Sequence, residues 1–277
     1  PRGLTMRLIT ALDKFRQRVS AETVLVGGRR WRMIDTGGGG PVLVLLPGTL
    51  GNADIFFHQI EKLGRCLRIL ALSPPLIADV DIMADDLARL LKRLGLARAS
   101  VLGPSFGGFL AQTFAERHPG RIETLFIANS LCDTAALRPA FPDPAELLRT
   151  PPQAVAANIS AQMDNWDEAE KIFTETKELL RRELAQHLPP RAPKLRLAAI
   201  FLRPRPPVPA LPDSRIVIID CRDDPLIPAK VRDEVRARYP GAEHHRLKTG
   251  RHFPYLTRTA DYNRIIGDRL LGARPAI

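Results

Sequence analysis

The stretch that decides the fold is Val101-Leu102-Gly103-Pro104-Ser105-Phe106-Gly107-Gly108-Phe109-Leu110-Ala111. It predicts a short apolar strand, a tight turn that carries Ser105, and the beginning of a helix. Such a turn is a nucleophile elbow, which lifts a serine hydroxyl above the C-terminal edge of a parallel sheet. Because its backbone is strained, Cβ atoms two positions either side of the serine would collide with neighbouring backbone, and Gly103 and Gly107 avoid that collision. The pattern alone recurs by chance in roughly one chain in ten of this length, so the elements around it matter.

Predicted strands and helices alternate on both sides of this turn. The predicted strands form a hairpin at 23–35 and single segments at 42–46, 67–72, 100–103, 124–128, 215–220 and 243–247. Helical spacing of apolar residues is found at 55–63, 81–94, 106–117, 230–239 and 260–271. Short apolar strands that alternate with helices predict an α/β fold, with a mostly parallel central sheet, right-handed crossovers and helices on both faces.

The alternation stops between residues 131 and 211. This segment has helical patterns at 154–164 and 168–187, and eight prolines lie between 189 and 212. We predict a helical cap over the sheet edge, inserted after the sixth strand; the alternative is an ordinary helical excursion that packs elsewhere. The predicted organisation is a single domain of residues 1–277, with a core at about 20–130 and 212–277 and a cap at about 131–211.

Three polar residues each follow a predicted strand, namely Ser105, Asp224 and His252. Loops at the C-terminal ends of parallel strands face the same way and can converge on one crevice. The order serine, acid, histidine is that of α/β-hydrolases. A serine hydroxyl is a weak nucleophile until an imidazole takes its proton, and a carboxylate orients that imidazole. Asp223 and Asp133 are alternative acids; we prefer Asp224 because its spacing to Pro228 matches the usual acid loop of this fold.

Acyl transfer also needs two backbone N–H groups directed at the developing oxyanion. In an elbow, the residue after the nucleophile supplies one of them, which is Phe106 here. We expect the loop after the early buried strand to supply the other from Thr49, which follows Pro47-Gly48. Many hydrolases have His-Gly in this loop, but the donor is backbone, so the missing histidine side chain need not abolish the oxyanion hole.

Composition limits the classes of partner. The formal charge is +11, but most of the 41 basic residues are scattered arginines without the interleaved aromatic side chains of a single-strand binding surface, so we predict no nucleic-acid binding. The three cysteines have no metal-ligand spacing, and we predict no metal and no cofactor. The odd number of cysteines favours free thiols in a reducing compartment. We find no signal-peptide core and no apolar run of membrane-spanning length. We therefore predict a soluble, cytoplasmic protein without stable membrane insertion.

Several segments resemble the maspardin family of α/β-hydrolase-fold proteins. They are residues 105–112 (SFGGFLAQ), 114–116 (FAE), 129–130 (NS), 133–134 (DT), 53–57, 247–250 (LKTG) and 253–256 (FPYL). The resemblance covers most of the chain and includes a cap of similar length. It implies a binding or trafficking adaptor, because animal maspardins keep the elbow serine but lack the histidine and a clear acid. This chain departs from them at His252 and Asp224, which together with Ser105 complete a triad.

The sequence therefore predicts a serine hydrolase that cleaves an ester or similar acyl bond of a small substrate through an acyl-enzyme on Ser105. His252 would be base and then acid, Asp224 its orienter, and Phe106 and Thr49 the oxyanion donors. The alternatives are a catalytically silent adaptor with a protein partner, and a carbon–carbon bond hydrolase or perhydrolase with the same triad. A homodimer or a protein partner is left open.

Overall fold

Eight strands form one sheet in the order β1-β2-β4-β3-β5-β6-β7-β8. The computed structural model describes residues 7–166 and 168–272. The strands are β1 Glu22–Val26, β2 Arg29–Asp35, β3 Val42–Leu45, β4 Arg68–Ser73, β5 Ala99–Pro104, β6 Ile122–Ala128, β7 Ile216–Cys221 and β8 Glu243–Leu247. Strand β2 is antiparallel to β1 and β4, and all neighbours from β4 to β8 pair in parallel. The C-terminal ends of β3 and β5 to β8 therefore meet at one edge.

Eleven α-helices are found among the described residues. They are α1 Leu8–Arg18, α2 Phe57–Leu63, α3 Val80–Arg93, α4 Phe106–Arg117, α5 Pro144–Arg149, α6 Pro152–Gln162, α7 Lys171–Arg182, α8 Ala192–Leu202, α9 Ala229–Arg238, α10 Pro254–Thr257 and α11 Thr259–Leu271. From β3 to β8, helices alternate with strands except between β6 and β7, where α5 to α8 follow one another. The predicted fold class is thus confirmed, with the helical insertion after the sixth strand.

The hairpin at the start of the sheet turns at Gly27-Gly28. Both glycines have positive φ, 55° and 77°, so they form the two central residues of a turn whose twist suits a hairpin. Positive φ at two successive positions is accessible to glycine without a Cβ clash. The predicted hairpin is confirmed, and it places an antiparallel edge on an otherwise parallel sheet.

Two apolar clusters cover the two faces of the sheet. Successive side chains of a strand point to opposite faces, and accordingly Val44 and Val101 lie in one cluster while Leu43 and Leu102 lie in the other. Helices α3, α4 and α9 cover the first face, whereas α1, α2 and α11 cover the second. Burial on both faces explains why the central strands are continuous apolar runs.

Four helices lie where the sequence predicted none, namely the short α5 and α10 and the longer α1 and α8. Helix α1 precedes the hairpin and buries Leu8, Leu12 and Phe15. Helix α8 lies inside the proline-rich tract, with Pro193 in its first turn, where a missing N–H removes no helical hydrogen bond. The cap is consequently more helical than predicted, and α8 brings its residues against both the sheet and the rest of the cap.

Candidate active site

The turn between β5 and α4 has the strained geometry of a nucleophile elbow. Ser105 has φ 53° and ψ −122°, a conformation that side-chain-bearing residues rarely adopt. A Cβ on Gly103 would lie 2.1 Å from the carbonyl carbon and oxygen of Gly107, and a Cβ on Gly107 would lie 2.1 Å from the carbonyl oxygen of Leu46. Both glycines are therefore required by the close approach of backbone to backbone, as predicted.

Backbone hydrogen bonds hold Ser105 in this conformation. Its N–H donates to the carbonyl oxygens of Ala128 (3.0 Å) and Asn129 (3.2 Å) at the end of β6. Its carbonyl oxygen accepts from the Ser130 hydroxyl at 2.7 Å. Although Ser105 is the N-cap of α4, its side chain makes no capping hydrogen bond. The hydroxyl is therefore not used in the structure of the turn.

His252 and Asp224 form a buried pair at the ends of the last two strands. The carboxylate oxygens of Asp224 lie 2.9 and 3.1 Å from Nδ1 of His252. Asn129 Nδ2 also donates to this carboxylate (2.8 Å), as do the backbone N–H groups of Leu226 (2.8 Å) and Ile227 (3.1 Å). Nδ1 of the imidazole is thus committed to the carboxylate, which leaves Nε2 for other chemistry.

The donors around Asp224 keep its carboxyl group ionised. Burial alone would raise the pKa, since it penalises the charged form, but the nearby His252 charge and the hydrogen bonds from His252, Asn129 and the Ile227 amide leave the pKa lowered. The Asp224 side chain has no exposed surface. A buried carboxylate that remains charged can fix the tautomer of an imidazole and stabilise its protonated form.

The other two candidate acids have different partners. Asp223 accepts from the backbone N–H groups of Gly250 (3.2 Å) and Arg251 (3.0 Å), so it holds the loop that carries His252. Asp133 accepts from the N–H of Ala135 at 2.8 Å. The structure thus brings Asp224, and neither Asp223 nor Asp133, to the imidazole.

The two residues proposed as oxyanion donors flank Ser105. Phe106 is the first residue of α4, where backbone N–H groups lack helical acceptors and the helix dipole is positive. Thr49 lies in the loop after β3 and, like Gly48, Ser105 and His252, lines a single cavity. A Cβ on Gly48 would lie 3.5 Å from Cβ of Ser105, so this loop directly abuts the serine.

The cavity that Ser105 and His252 share has a volume of about 160 Å³. Cap helices α6 and α8 cover it. Its wall is mainly apolar, with side chains that include Leu131, Leu137, Phe141, Ile159, Trp166, Ile200, Phe201 and Phe253. Apolar cavities of about 150 Å³ are large enough for one benzene ring. The cavity can therefore hold an acyl or aryl group of about that size beside the serine.

Two residues of the site were missed by the sequence reasoning. Asn129, at φ 39°, donates through Nδ2 both to Asp224 and to the carbonyl oxygen of Arg251 (3.2 Å). Its position directly after β6 was the available signal. Arg196, on α8, donates to carbonyl oxygens of the loop that holds Thr49. No sequence signal distinguished it from the many other arginines.

Other kinds of site were sought within the same residues. Among residues 7–166 and 168–272, no group of three or more His, Cys, Asp or Glu side chains is placed to hold a metal ion. In that same part of the chain, every helix is too short or too polar to span a bilayer.

Comparisons with known proteins agree with this fold. Residues 24–265 match the model of the alpha/beta hydrolase family. The chain is 31% identical to human maspardin over 241 residues, which is 83% of this chain and 74% of maspardin. Two solved structures share the fold: the enol-lactonase from Burkholderia xenovorans LB400 (TM-score 0.72, 17% identity, 90% of this chain and 100% of that one) and the meta-cleavage product hydrolase from Pseudomonas fluorescens IP01 (TM-score 0.68, 20% identity, 91% and 98%). The chain belongs to the α/β-hydrolase family, with maspardins among its relatives.

Proposed function

We propose that this protein is a serine hydrolase that cleaves an ester or a similar acyl bond through an acyl-enzyme on Ser105. The observation that carries the proposal is the His252–Asp224 pair: Nδ1 of His252 lies 2.9 Å from the carboxylate, and His252 lines the cavity that Ser105 also lines. A buried carboxylate, an oriented imidazole and a serine on a strained turn are the groups that acyl transfer requires.

In the proposed reaction, His252 takes the Ser105 proton as the hydroxyl oxygen attacks the substrate carbonyl carbon. The carbonyl electron pair moves onto oxygen, and the N–H groups of Phe106 and Thr49 stabilise that oxyanion. When the tetrahedral intermediate collapses, His252 donates its proton to the leaving alcohol and the acyl group remains on Ser105. Water, activated by the same imidazole, then releases the acid. Asp224 holds the imidazole and stabilises its cation throughout.

The proposed substrate carries an uncharged, apolar acyl or aryl group. Apolar side chains from the cap and from the loops after β6 and β7 form most of the cavity wall, so a charged acyl chain would lose its hydration without gaining a partner. The volume suits one ring or a short branched chain. The enol-lactonase that shares the fold is named for cyclic-ester chemistry, which fits the proposed bond type. The proposed reaction draws on no cofactor, and a cytoplasmic location is part of the proposal.

The adaptor alternative is less well supported by this geometry. The Asp224 carboxylate has four hydrogen-bond partners: His252, the Asn129 side chain and two backbone N–H groups. A silent adaptor needs neither an imidazole oriented by such a carboxylate nor open space beside Ser105. Carbon–carbon bond hydrolysis uses the same groups, and the meta-cleavage product hydrolase is a structural neighbour at 20% identity. Rates on esters and on carbon–carbon substrates distinguish that chemistry from ester cleavage.

A fluorophosphonate probe tests the proposal directly. We expect covalent labelling of the wild type, with the adduct on Ser105, and none in S105A. The C66S variant is the control for nonspecific reaction of the probe. It removes an exposed thiol far from the elbow in sequence, so labelling should be unchanged. A series of p-nitrophenyl esters then maps the acyl group, with butyrate and benzoate expected to exceed succinate. Failure of the folded wild type to react with the probe would contradict the proposal.

A further inference from the structure

Arg196 is a buried cation behind the active-site loop. It lies on α8 in the cap, and only 3% of its surface is exposed. Nη1 donates to three carbonyl oxygens of one loop, those of Gly48 (3.0 Å), Thr49 (3.1 Å) and Gly51 (2.6 Å). Within residues 7–166 and 168–272, the ion pairs of the structure supply no carboxylate to this guanidinium. The loop's carbonyl groups therefore take the place of a counter-ion.

The direction of these carbonyl groups sets the direction of the loop's N–H groups. In a planar trans peptide, the C=O of one residue and the N–H of the next point in opposite directions. Because the Gly48 carbonyl points at Arg196, the N–H of Thr49 points away from Arg196. Thr49 is the proposed second oxyanion donor, and its loop both contacts Arg196 and lines the cavity that Ser105 lines. The Gly48 carbonyl oxygen also accepts from the Gly51 N–H at 3.3 Å, and the shorter bond from Arg196 links the same peptide plane, on which oxyanion binding depends, to the cap.

Arg196 also contacts the other half of the proposed oxyanion hole. Its Cζ lies 5.9 Å from the ring centroid of Phe106, within the range of a cation–π contact. Burial lowers the pKa of the Arg196 guanidinium to about 10, so the group still carries its charge at neutral pH. It therefore keeps all of its N–H donors under working conditions.

A second buried cation on the same helix provides a contrast. Lys194 Nζ donates to the carbonyl oxygens of Leu148 (2.9 Å) and Thr150 (2.8 Å), at the end of α5. Residues two apart on a helix do not share a face, so Lys194 and Arg196 hold different segments. Lys194 ties α8 to the cap, whereas Arg196 ties α8 to the oxyanion loop.

We propose that Arg196 is a positioning residue for the oxyanion hole, which it sets by binding the carbonyl groups of Gly48, Thr49 and Gly51 from the cap. The proposal rests on the hydrolase function proposed above. It predicts that Arg196 acts on the transition state, in which the oxyanion exists, and not on substrate binding. Its helix neighbours Leu197 and Ile200 line the cavity and Arg196 does not, so the substrate does not need to touch Arg196.

The test compares R196M, R196K and K194M in the full chain. For p-nitrophenyl butyrate we expect R196M to lower kcat by about 10²-fold with KM within twofold of wild type, since loss of one oxyanion donor costs about 10²- to 10³-fold. R196K, which keeps a cation with three donors, should recover part of that loss. K194M removes another buried cation of the same helix and should keep kcat within threefold. Deuterium uptake by the amides of residues 48–52 should rise in R196M and remain as in wild type in K194M.

Folding of each variant is checked by circular dichroism and thermal melting. Equal losses of kcat in R196M and K194M would overturn the proposal, because they would indicate a general effect of cap stability. So would a folded R196M with kcat within threefold of wild type. If the wild type neither hydrolyses esters nor reacts with the fluorophosphonate, the hydrolase function fails. The deuterium uptake then still decides the positioning, which is refuted if residues 48–52 exchange alike in R196M and K194M.

Discussion

Replacing Asp224 by asparagine exchanges one carboxylate oxygen for an NH₂ group. Oδ1 accepts from the backbone N–H groups of Leu226 and Ile227, so these two donors keep the asparagine oxygen on their side. The NH₂ group then occupies the place of Oδ2, where Asn129 Nδ2 and His252 Nδ1 lie at 2.8 and 2.9 Å. Donors would face donors there unless the imidazole changes tautomer.

The change of tautomer explains the size of the expected effect. With its proton on Nε2, His252 could accept a hydrogen bond from the new NH₂ group, but it could not take a proton from Ser105. The corresponding substitution in serine hydrolases with this triad costs about 10⁴ in kcat. We therefore expect D224N to lower kcat by about 10⁴-fold, equivalent to about 5 kcal/mol of transition-state stabilisation. Because the oxyanion donors and the cavity are untouched, KM should change little.

The assay is the steady-state hydrolysis of p-nitrophenyl butyrate, with D223N as the matched control. Asp223 receives two backbone N–H groups and does not touch the imidazole, so D223N should retain more than a tenth of the wild-type kcat. Both variants must melt cooperatively for the comparison to hold. The reasoning is refuted if folded D224N keeps a tenth or more of the wild-type kcat, or if D223N loses as much as D224N.

Three further perturbations follow from the same geometry. G107A should destabilise the fold by about 3 kcal/mol, because its Cβ would lie 2.1 Å from the Leu46 carbonyl oxygen, whereas G120A, with nothing within 4 Å, should melt near the wild type. N129G keeps the positive φ but removes a hydrogen bond to a charged group, so kcat should fall about 10- to 100-fold; an unchanged kcat would contradict that role. Asp224 has a lowered pKa in the folded state, so its contribution to stability is complete above about pH 4 and is lost as the pH falls through the folded-state value. The difference between wild type and D224N in free energy of urea unfolding should therefore shrink as the pH falls through the folded-state pKa of Asp224, and a difference that grows in acid would count against the assignment.

The elbow could be predicted because its constraints are local. Gly103, Ser105 and Gly107 lie within five positions, and the steric clash that the two glycines avoid follows from the tight turn itself. The positions of Asp224 and His252 followed from a topological rule, since each comes after a strand of a parallel sheet. The preference for Asp224 over Asp223 agrees with the contacts of the structure. These adjacent residues point their carboxylates in different directions, Asp224 to the imidazole and Asp223 to the Gly250 N–H.

Other features depend on distant partners. Asn129 acts on a carboxylate 95 residues away, and Arg196 on a loop about 145 residues away, so neither contact has a local pattern. Helix α8 was not predicted because prolines surround it in the sequence, and prolines usually interrupt helices. Pro193 is compatible with the helix because it falls in the first turn. Helix α1 did carry a signal, the i, i+4, i+7 spacing of Leu8, Leu12 and Phe15, which predicts an amphipathic helix.

The most direct test of the central claim is mass spectrometry of the intact protein, quenched in acid within milliseconds of mixing with p-nitrophenyl butyrate. The account predicts a transient mass increase of one butyryl group, located on the peptide that contains Ser105 and absent from S105A and D224N. It also predicts a matching burst of p-nitrophenol. If the folded wild type releases no p-nitrophenol and acquires no acyl group, or if the group is found on a residue other than Ser105, the account is wrong.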